Sequence, residues 1–257
     1  MTTVTHESLL GLTQTDETAR ACMADMSAHL RSILAMEGLA DFPATQALPA
    51  PFFAEYDAAL AAYDRYIDHV LRGESLAVTC RAGCAACCRH ELARGLTALE
   101  TLAIYHLVRP WPDIGTLYEA AGENAVVFQR LLAAELAKGG GPLAAEDPRI
   151  VTAHLAYNRL ERPCPFLDGA AGVCRIYPVR PLVCRWFFNL SPAPWCEPSH
   201  ANYLERQAVG INPYHEVNTL MQAISERLGL RTLNYLAGAF AHLAGEVLGG
   251  APIRRRT

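Results

Sequence analysis

Cysteines are the residues of this chain with most to offer chemically, and eight of the nine are gathered into two stretches. Cys80, Cys84, Cys87 and Cys88 fall close together in the spacing C-x3-C-x2-C-C. Cys164, Cys174, Cys184 and Cys196 follow in a second stretch. Thiolates are soft ligands that suit zinc and iron–sulfur clusters and suit magnesium or calcium poorly. A gap of two or three residues lets one tight turn aim two sulfurs at a common ion, and Gly83 with its neighbouring alanines keeps that turn free of bulk. Adjacent Cys87 and Cys88 are awkward as two ligands of one tetrahedral ion. They sit more easily on different metal atoms, or with one turned away. Buried apolar cysteines do not crowd in this manner, so all eight are expected to be metal ligands. Cys22 lies on a helical apolar stripe and is expected in the core.

Eight ionised thiols would add about −8 to a chain whose 22 Lys+Arg and 26 Asp+Glu already give −4. Positive neighbours are therefore useful, since a nearby cation lowers a thiol pKa and tunes a bound cluster. Arg81, Arg89, Arg175, Arg180 and Arg185 stand beside the cysteines or in the turns between them. His90 and His200 are secondary candidates, as substitute ligands or as donors to a ligand. His69, His106, His154 and His215 fall in helical patterns and read as polar-face residues. Trp186, Phe187, Phe188 and Trp195 flank Cys184 and Cys196, either shielding a centre from water or belonging to the core.

Composition narrows the setting. With 51% hydrophobic and 19% charged residues the chain should fold. A net charge of −4 argues against a nucleic-acid binder driven by bulk positive charge. The arginine excess, with Lys138 the sole lysine, is spread over the whole chain and marks no site. No apolar run approaches the ~20 residues of a spanning helix, so no membrane partner is expected. The opening Met1–Glu7 lacks a positive start and an apolar stretch, which points to a cytoplasmic protein. In that reducing compartment an odd count of nine thiols favours a metal over disulfides.

The elements that must position these thiols read as helices. Cys22, Met26, Leu30 and Ile33 share one face of a helix over about 15–37. A linker with two prolines covers 44–51. Leu60, Tyr63, Ile67 and Val70 line a helix over about 57–72 that stops at Gly73. Thr97 and Glu100 have capping-box spacing ahead of a helix to about 107. Asp113 is placed to cap a helix to about 136, closed by Gly139-Gly140-Gly141. Asp147 and Pro148 open a helix over about 148–160. Two more helices are expected over about 214–228 and 232–248. Between the 148–160 helix and these two, Pro163 to Pro198 holds seven of the sixteen prolines and four of the nine cysteines. Proline fixes φ and lacks a donor, so this segment is neither one long helix nor an inner strand, and at most a short hairpin forms near Val173–Ile176. Arg254-Arg255-Arg256 reads as a frayed tail. The fold class expected is mostly α: a helical, bundle-like single domain over 1–257. In it an irregular Cys/Pro-rich metal-binding segment at 162–198 converges with the cluster at 80–90.

At these residues the sequence resembles a known family, the YkgJ-like cysteine-cluster proteins, described as chelating zinc or iron. The family pattern is an early cluster ending in a double cysteine, here Cys80, Cys84, Cys87 and Cys88. There follow Cys164-Pro165-Phe166-Leu167, Cys174-Arg175-Ile176-Tyr177 and Arg180-Pro181-Leu182-Val183-Cys184-Arg185. Cys196 fits the later cysteine of one subgroup. The first gap is three residues where the commoner form has two. The likeness covers about 80–110 and 162–198, and it implies metal binding by the matched cysteines without choosing the metal. One branch, flagellin lysine-N-methylase, implies an iron–sulfur centre and methyl transfer, although no S-adenosylmethionine-binding glycine motif is present. Three functions are therefore carried forward. The first is a metal-binding protein holding an iron–sulfur cluster, of the 4Fe-4S kind, or zinc. The second is a structural zinc module that meets a protein partner. The third, on resemblance alone, is an iron–sulfur-dependent protein lysine methyltransferase. No catalytic residue is assigned.

Overall fold

Asp16 begins the fold by accepting the Ala19 amide at 2.8 Å, which starts helix α1, Glu17–Ala35. Its apolar stripe of Met23, Met26, Leu30 and Ile33 is buried against α3, Phe52–Gly73, and α8, His215–Arg227. His69 on α3 reaches back to the Asp16 carboxylate at 2.7 Å. The computed structural model describes residues 11, 13–81, 83–139, 141, 147–230 and 233–256. The Met1–Glu7 reading and the middle glycine of the 139–141 triplet lie outside them.

Between α1 and α3 come the short helix α2, Phe42–Thr45, and strand β1, Ala47–Pro49. The next helices are α4, Ala98–Val108, α5, Ile114–Leu136, and α6, Pro148–Asn158. Helix α4 is apolar nearly all round, and such a helix must lie inside. Every residue from Ala98 to Tyr105 is buried. The Thr97–Glu100 capping box forms in both directions. Helix α5 packs against α6 and against α9, Leu236–Ala241, which continues as a π-helical segment over His242–Val247. One hydrophobic cluster runs from Ala19 on α1 through α3 and α4 to Leu248. Among the described residues no helix is long and apolar enough to cross a membrane.

The segment after α6 is irregular, as proline content requires. It has a hairpin of β2, Leu167–Asp168, with β3, Val173–Cys174, then the five-residue α7, Leu182–Trp186. Strand β4, Phe187–Asn189, leaves α7 directly and pairs antiparallel with β5, Ala208–Gly210.

Four local expectations differ from the structure. Helix α3 starts at Phe52, because Phe52 and Tyr56 sit one turn apart and both fill the core. The 44–51 linker contains β1, whose Leu48 is buried. The C-terminal arginines form β6, Arg254–Arg256, parallel to β1, with Arg256 reaching Asp41 at 2.8 Å; one carboxylate, the Gly38 and Thr45 carbonyls and a free edge order a tail that charge alone would leave in solvent. The last helix begins at Leu236 rather than 232. Asn234 and Leu236 are already bonded to Gly95 and Ala93, and Tyr235 bridges to Arg94, so the preceding backbone is extended.

Candidate metal centre

The first cysteine stretch is a loop between α3 and α4, pinned at its start by Asn189 of β4. The Thr79 amide donates to the Asn189 carbonyl at 2.9 Å, and the Asn189 amide donates to Cys80 Sγ at 3.3 Å. The Asn189 side chain donates to Thr79 Oγ1 at 2.8 Å. A turn closed by the Cys84 amide on the Arg81 carbonyl, 2.8 Å, then carries the chain to Cys84. Gly83 stands in this turn at φ +82°, where side chains are strained, so glycine is needed for its conformation as well as for its size. Cys87, Cys88 and Arg89 form a single helical turn.

The second stretch meets this loop through its backbone. The Cys164 amide donates to the Cys88 carbonyl at 2.7 Å. The carbonyl of Cys196 receives His90 Nε2 at 2.8 Å. Cys164 lies just before the hairpin whose β3 carries Cys174, and the two are joined through Leu167, which bonds to Cys164 and pairs with Cys174. Cys184 sits on α7. The N-terminus of α7 is tied to α4, because the Leu182 amide donates to Glu100 at 2.8 Å. The capping glutamate that begins α4 thus also sets the helix bearing Cys184.

Cys87, Cys88, Cys164, Cys184 and Cys196 line one cleft of ≈ 610 Å³. His90, Glu91, Arg94, His154, Arg206 and Trp186 also face it. Cys80, Cys84 and Cys174 lie outside its wall, though Cys80 and Cys84 act electrostatically on Cys196, and Cys174 on Cys184. All nine cysteines are free thiols. Burial pushes the Cys164 thiol up to about 12 and Cys196 up to about 11. Desolvation by packed neighbours also raises Cys80, Cys174 and, further, Cys184, although Cys184 itself opens to solvent at the cleft. Cys87, although exposed on the cleft, is pushed well up by the adjacent Cys88 thiol. Protonated thiols of this kind need a cation to displace their protons before they become good ligands.

The flanking arginines divide in role. Arg180 stands near Cys80, Cys174 and Cys184, and Arg185 near Cys174. Arg175 instead forms a two-pronged pair with Asp113 at 2.5 and 3.0 Å, over the Trp111 ring. That pairing occupies the carboxylate expected to cap α5, and Asp113 makes no capping bond. Arg81 and Arg89 are exposed. Arg206, which follows no cysteine closely, acts on Cys196 and was not legible from spacing.

His90 is buried, and burial lowers its pKa, favouring the neutral ring. Its Nε2 donates to the Cys196 carbonyl while its buried Nδ1 has no hydrogen-bond partner. His200 accepts the Asn202 amide at Nδ1 and stacks on Trp195. His154 is not a surface residue: it faces the cleft with Nε2 2.9 Å from Glu91. Burial alone would raise the Glu91 pKa, but the close His154 imidazole and the Asn158 hydrogen bond outweigh it and hold the carboxyl below its usual value. Glu91, His154 and Asn158 carry no spacing signal in the sequence. Trp186 and Phe187 line the cleft, Phe188 packs against the core, and Cys22 is partly buried against it.

The donor set fits a soft or borderline ion. Thiols from both stretches border one cleft, an imidazole beside them has a free buried nitrogen, and arginines stand ready to offset thiolate charge. Among the described residues no three His, Cys, Asp or Glu side chains already surround a common point, so ligation requires the thiols to turn inward.

Comparison with curated proteins and with solved structures gave no match. A family model matches residues 79–207, and its description reads "Putative zinc- or iron-chelating domain". The match spans half of the chain and runs from the residue before Cys80 to beyond Cys196, the same stretch that the backbone bonds draw together. It supports chelation of zinc or iron, and the chain belongs to this CxxCxxCC family.

Proposed function

We propose that this protein binds its metal through thiolates supplied jointly by both stretches: Cys80, Cys84, Cys87 and Cys88 from one, and Cys164, Cys174, Cys184 and Cys196 from the other. The observation that carries this reading is the 2.7 Å bond from the Cys164 amide to the Cys88 carbonyl, which holds the second stretch against the double cysteine. Iron would be held as a thiolate-ligated iron–sulfur cluster of the 4Fe-4S kind, serving redox work or a partner's chemistry. The protein's own contribution is to gather the sulfurs, to exclude water with Trp186 and the core, and to supply Arg180, Arg185 and Arg206 against thiolate charge. The reading places the protein in a reducing, cytoplasmic setting. Metal analysis and the visible spectrum of anaerobically prepared protein test it. Stoichiometric iron with a brown colour, or stoichiometric zinc without colour, supports it. A protein carrying neither metal, and taking up neither when supplied, refutes it.

A structural zinc module is the second reading, favoured by one specific observation. From Leu167 to Gly210 the ladders are only two or three residues long, and two-stranded pairs of that length do not stand alone in water. Ions tying this segment to α3 and α4 would supply the missing constraint and present its outer face to a protein partner. Colourless protein with stoichiometric zinc, and loss of structure in this segment on chelation, distinguishes it from the iron–sulfur reading.

A further inference from the structure

We infer that the cleft bordered by the thiols also binds a small organic acid, its carboxylate held by Arg94 and its apolar body by Leu92, Leu236 and Ala237. The inference adds a ligand to the chelation reading without depending on it, since none of these four residues is a metal ligand in that reading and the wall they form is protein.

Arg94 is placed by its backbone. Its bridge to Tyr235 is framed by the Gly95 amide on the Asn234 carbonyl, 3.1 Å, and by the Leu236 amide on the Ala93 carbonyl, 2.9 Å. The extended segment ahead of α9 thus fixes the arginine in the cleft wall and brings Leu236 and Ala237 beside it. The side chain is left without a matching acceptor. Its Nε is buried and has no hydrogen-bond partner among the described residues. Glu91, the anion that acts on it, is committed elsewhere: Oε1 faces His154 at 2.9 Å, and Oε2 receives the Asn158 side-chain amide at 3.0 Å. The other two arginines of the cleft do have acceptors. Arg162 Nε donates to Asn124 at 2.7 Å, and Arg206 donates to the Tyr203 carbonyl at 2.7 Å. A buried donor left unpaired is costly, and folded proteins keep few of them.

The chemistry of the wall selects the ligand. A planar guanidinium matches a carboxylate with two parallel bonds. Leu92, Leu236 and Ala237 line the same cleft, so the rest of the molecule is apolar rather than a second charged group. The volume of ≈ 610 Å³ suits a small molecule, whose sites span about 300–1,000 Å³. Arg162 and Arg206 add positive charge to the wall and favour the approach of an anion.

Calorimetry on full-length protein, prepared anaerobically and assayed for metal, tests the inference with hexanoate and phenylacetate as probes. At least one of the two should bind one equivalent with a Kd below about 1 mM. Its neutral amide should bind about 10–100-fold more weakly, and R94M should lose the acid by a similar factor while keeping its metal and its far-UV circular dichroism. The amide comparison needs no variant. Equal affinity for acid and amide, undiminished affinity in R94M, tighter binding of inorganic phosphate, or a Kd above that limit for both acids overturns the inference. An acid bound equally by R94M and lost on chelation sits on the metal, which also overturns it. Protein that holds no metal yet binds the acid through Arg94 sinks chelation alone.

Discussion

Arg185 is the most deeply buried cation beside the thiols, with only 2% of its surface exposed. Its guanidinium donates to both oxygens of Asp64 at 2.7 Å, to the Arg180 carbonyl at 2.9 Å and to the Pro178 carbonyl at 2.5 Å. One side chain thus fastens α7, with Cys184, to the 177–180 turn and to α3. Arg185→Met fills similar volume but strands two inward carbonyls. Each unsatisfied group costs about 1–3 kcal/mol, while the methionine recovers part of that through apolar burial. Asp64 adds little, because its side chain is 53% exposed and returns to water. The net loss is about 3 kcal/mol, a large share of the roughly 5–15 kcal/mol of an ordinary domain. With a urea slope near 3 kcal/mol per molar, the midpoint of metal-free protein should fall by about 1 M at unchanged slope, read by far-UV circular dichroism. Asp64→Asn keeps one acceptor and should cost about 1 kcal/mol. A midpoint for Arg185→Met within ~0.2 M of wild type, or a larger loss for Asp64→Asn, refutes the reasoning that the buried arginine is an internal clamp.

Glu100→Ala removes acceptors for Thr97 and Leu182 and should destabilise metal-free protein by about 2–4 kcal/mol in the same assay. Burial raises the Glu100 pKa, so the folded state binds its proton more tightly than the unfolded state does. The stability margin of wild type over Glu100→Gln should be largest below the ordinary glutamate value, about 4.3, and should shrink as pH rises through the higher folded value; a margin that grows with pH contradicts this. His90→Ala frees the Cys196 carbonyl and should weaken zinc retention by about 10–100-fold in chelator competition, leaving helix content intact. Chelation of loaded protein should open the 162–207 segment to proteases while α1, α3 and α4 stay protected, as peptide mapping would show.

The helices were legible where apolar spacing or capping chemistry is local. Met26, Leu30 and Ile33 mark α1, and the Thr97–Glu100 box starts α4. The irregular segment was legible from its prolines, and the hairpin near Val173 formed where expected. What sequence spacing cannot carry is long-range pairing. Nothing local in Arg254–Arg256 announces a strand on β1, and nothing in Asp113 announces that Arg175 will take it from its helix. Around the thiols the same limit applies. The cysteines stand out by their crowding, whereas His154 on α6 and Asn189 on β4 come to them only when elements far apart in the chain pack together.

Alkylation of the native protein under anaerobic conditions, with each cysteine mapped by mass spectrometry, bears most directly on shared ligation. Metal should slow labelling at Cys80, Cys84, Cys87 and Cys88 and equally at Cys164, Cys174, Cys184 and Cys196, with Cys22 reacting at one rate whether metal is present or removed. Protection confined to one stretch, or labelling that ignores the metal, would contradict the account.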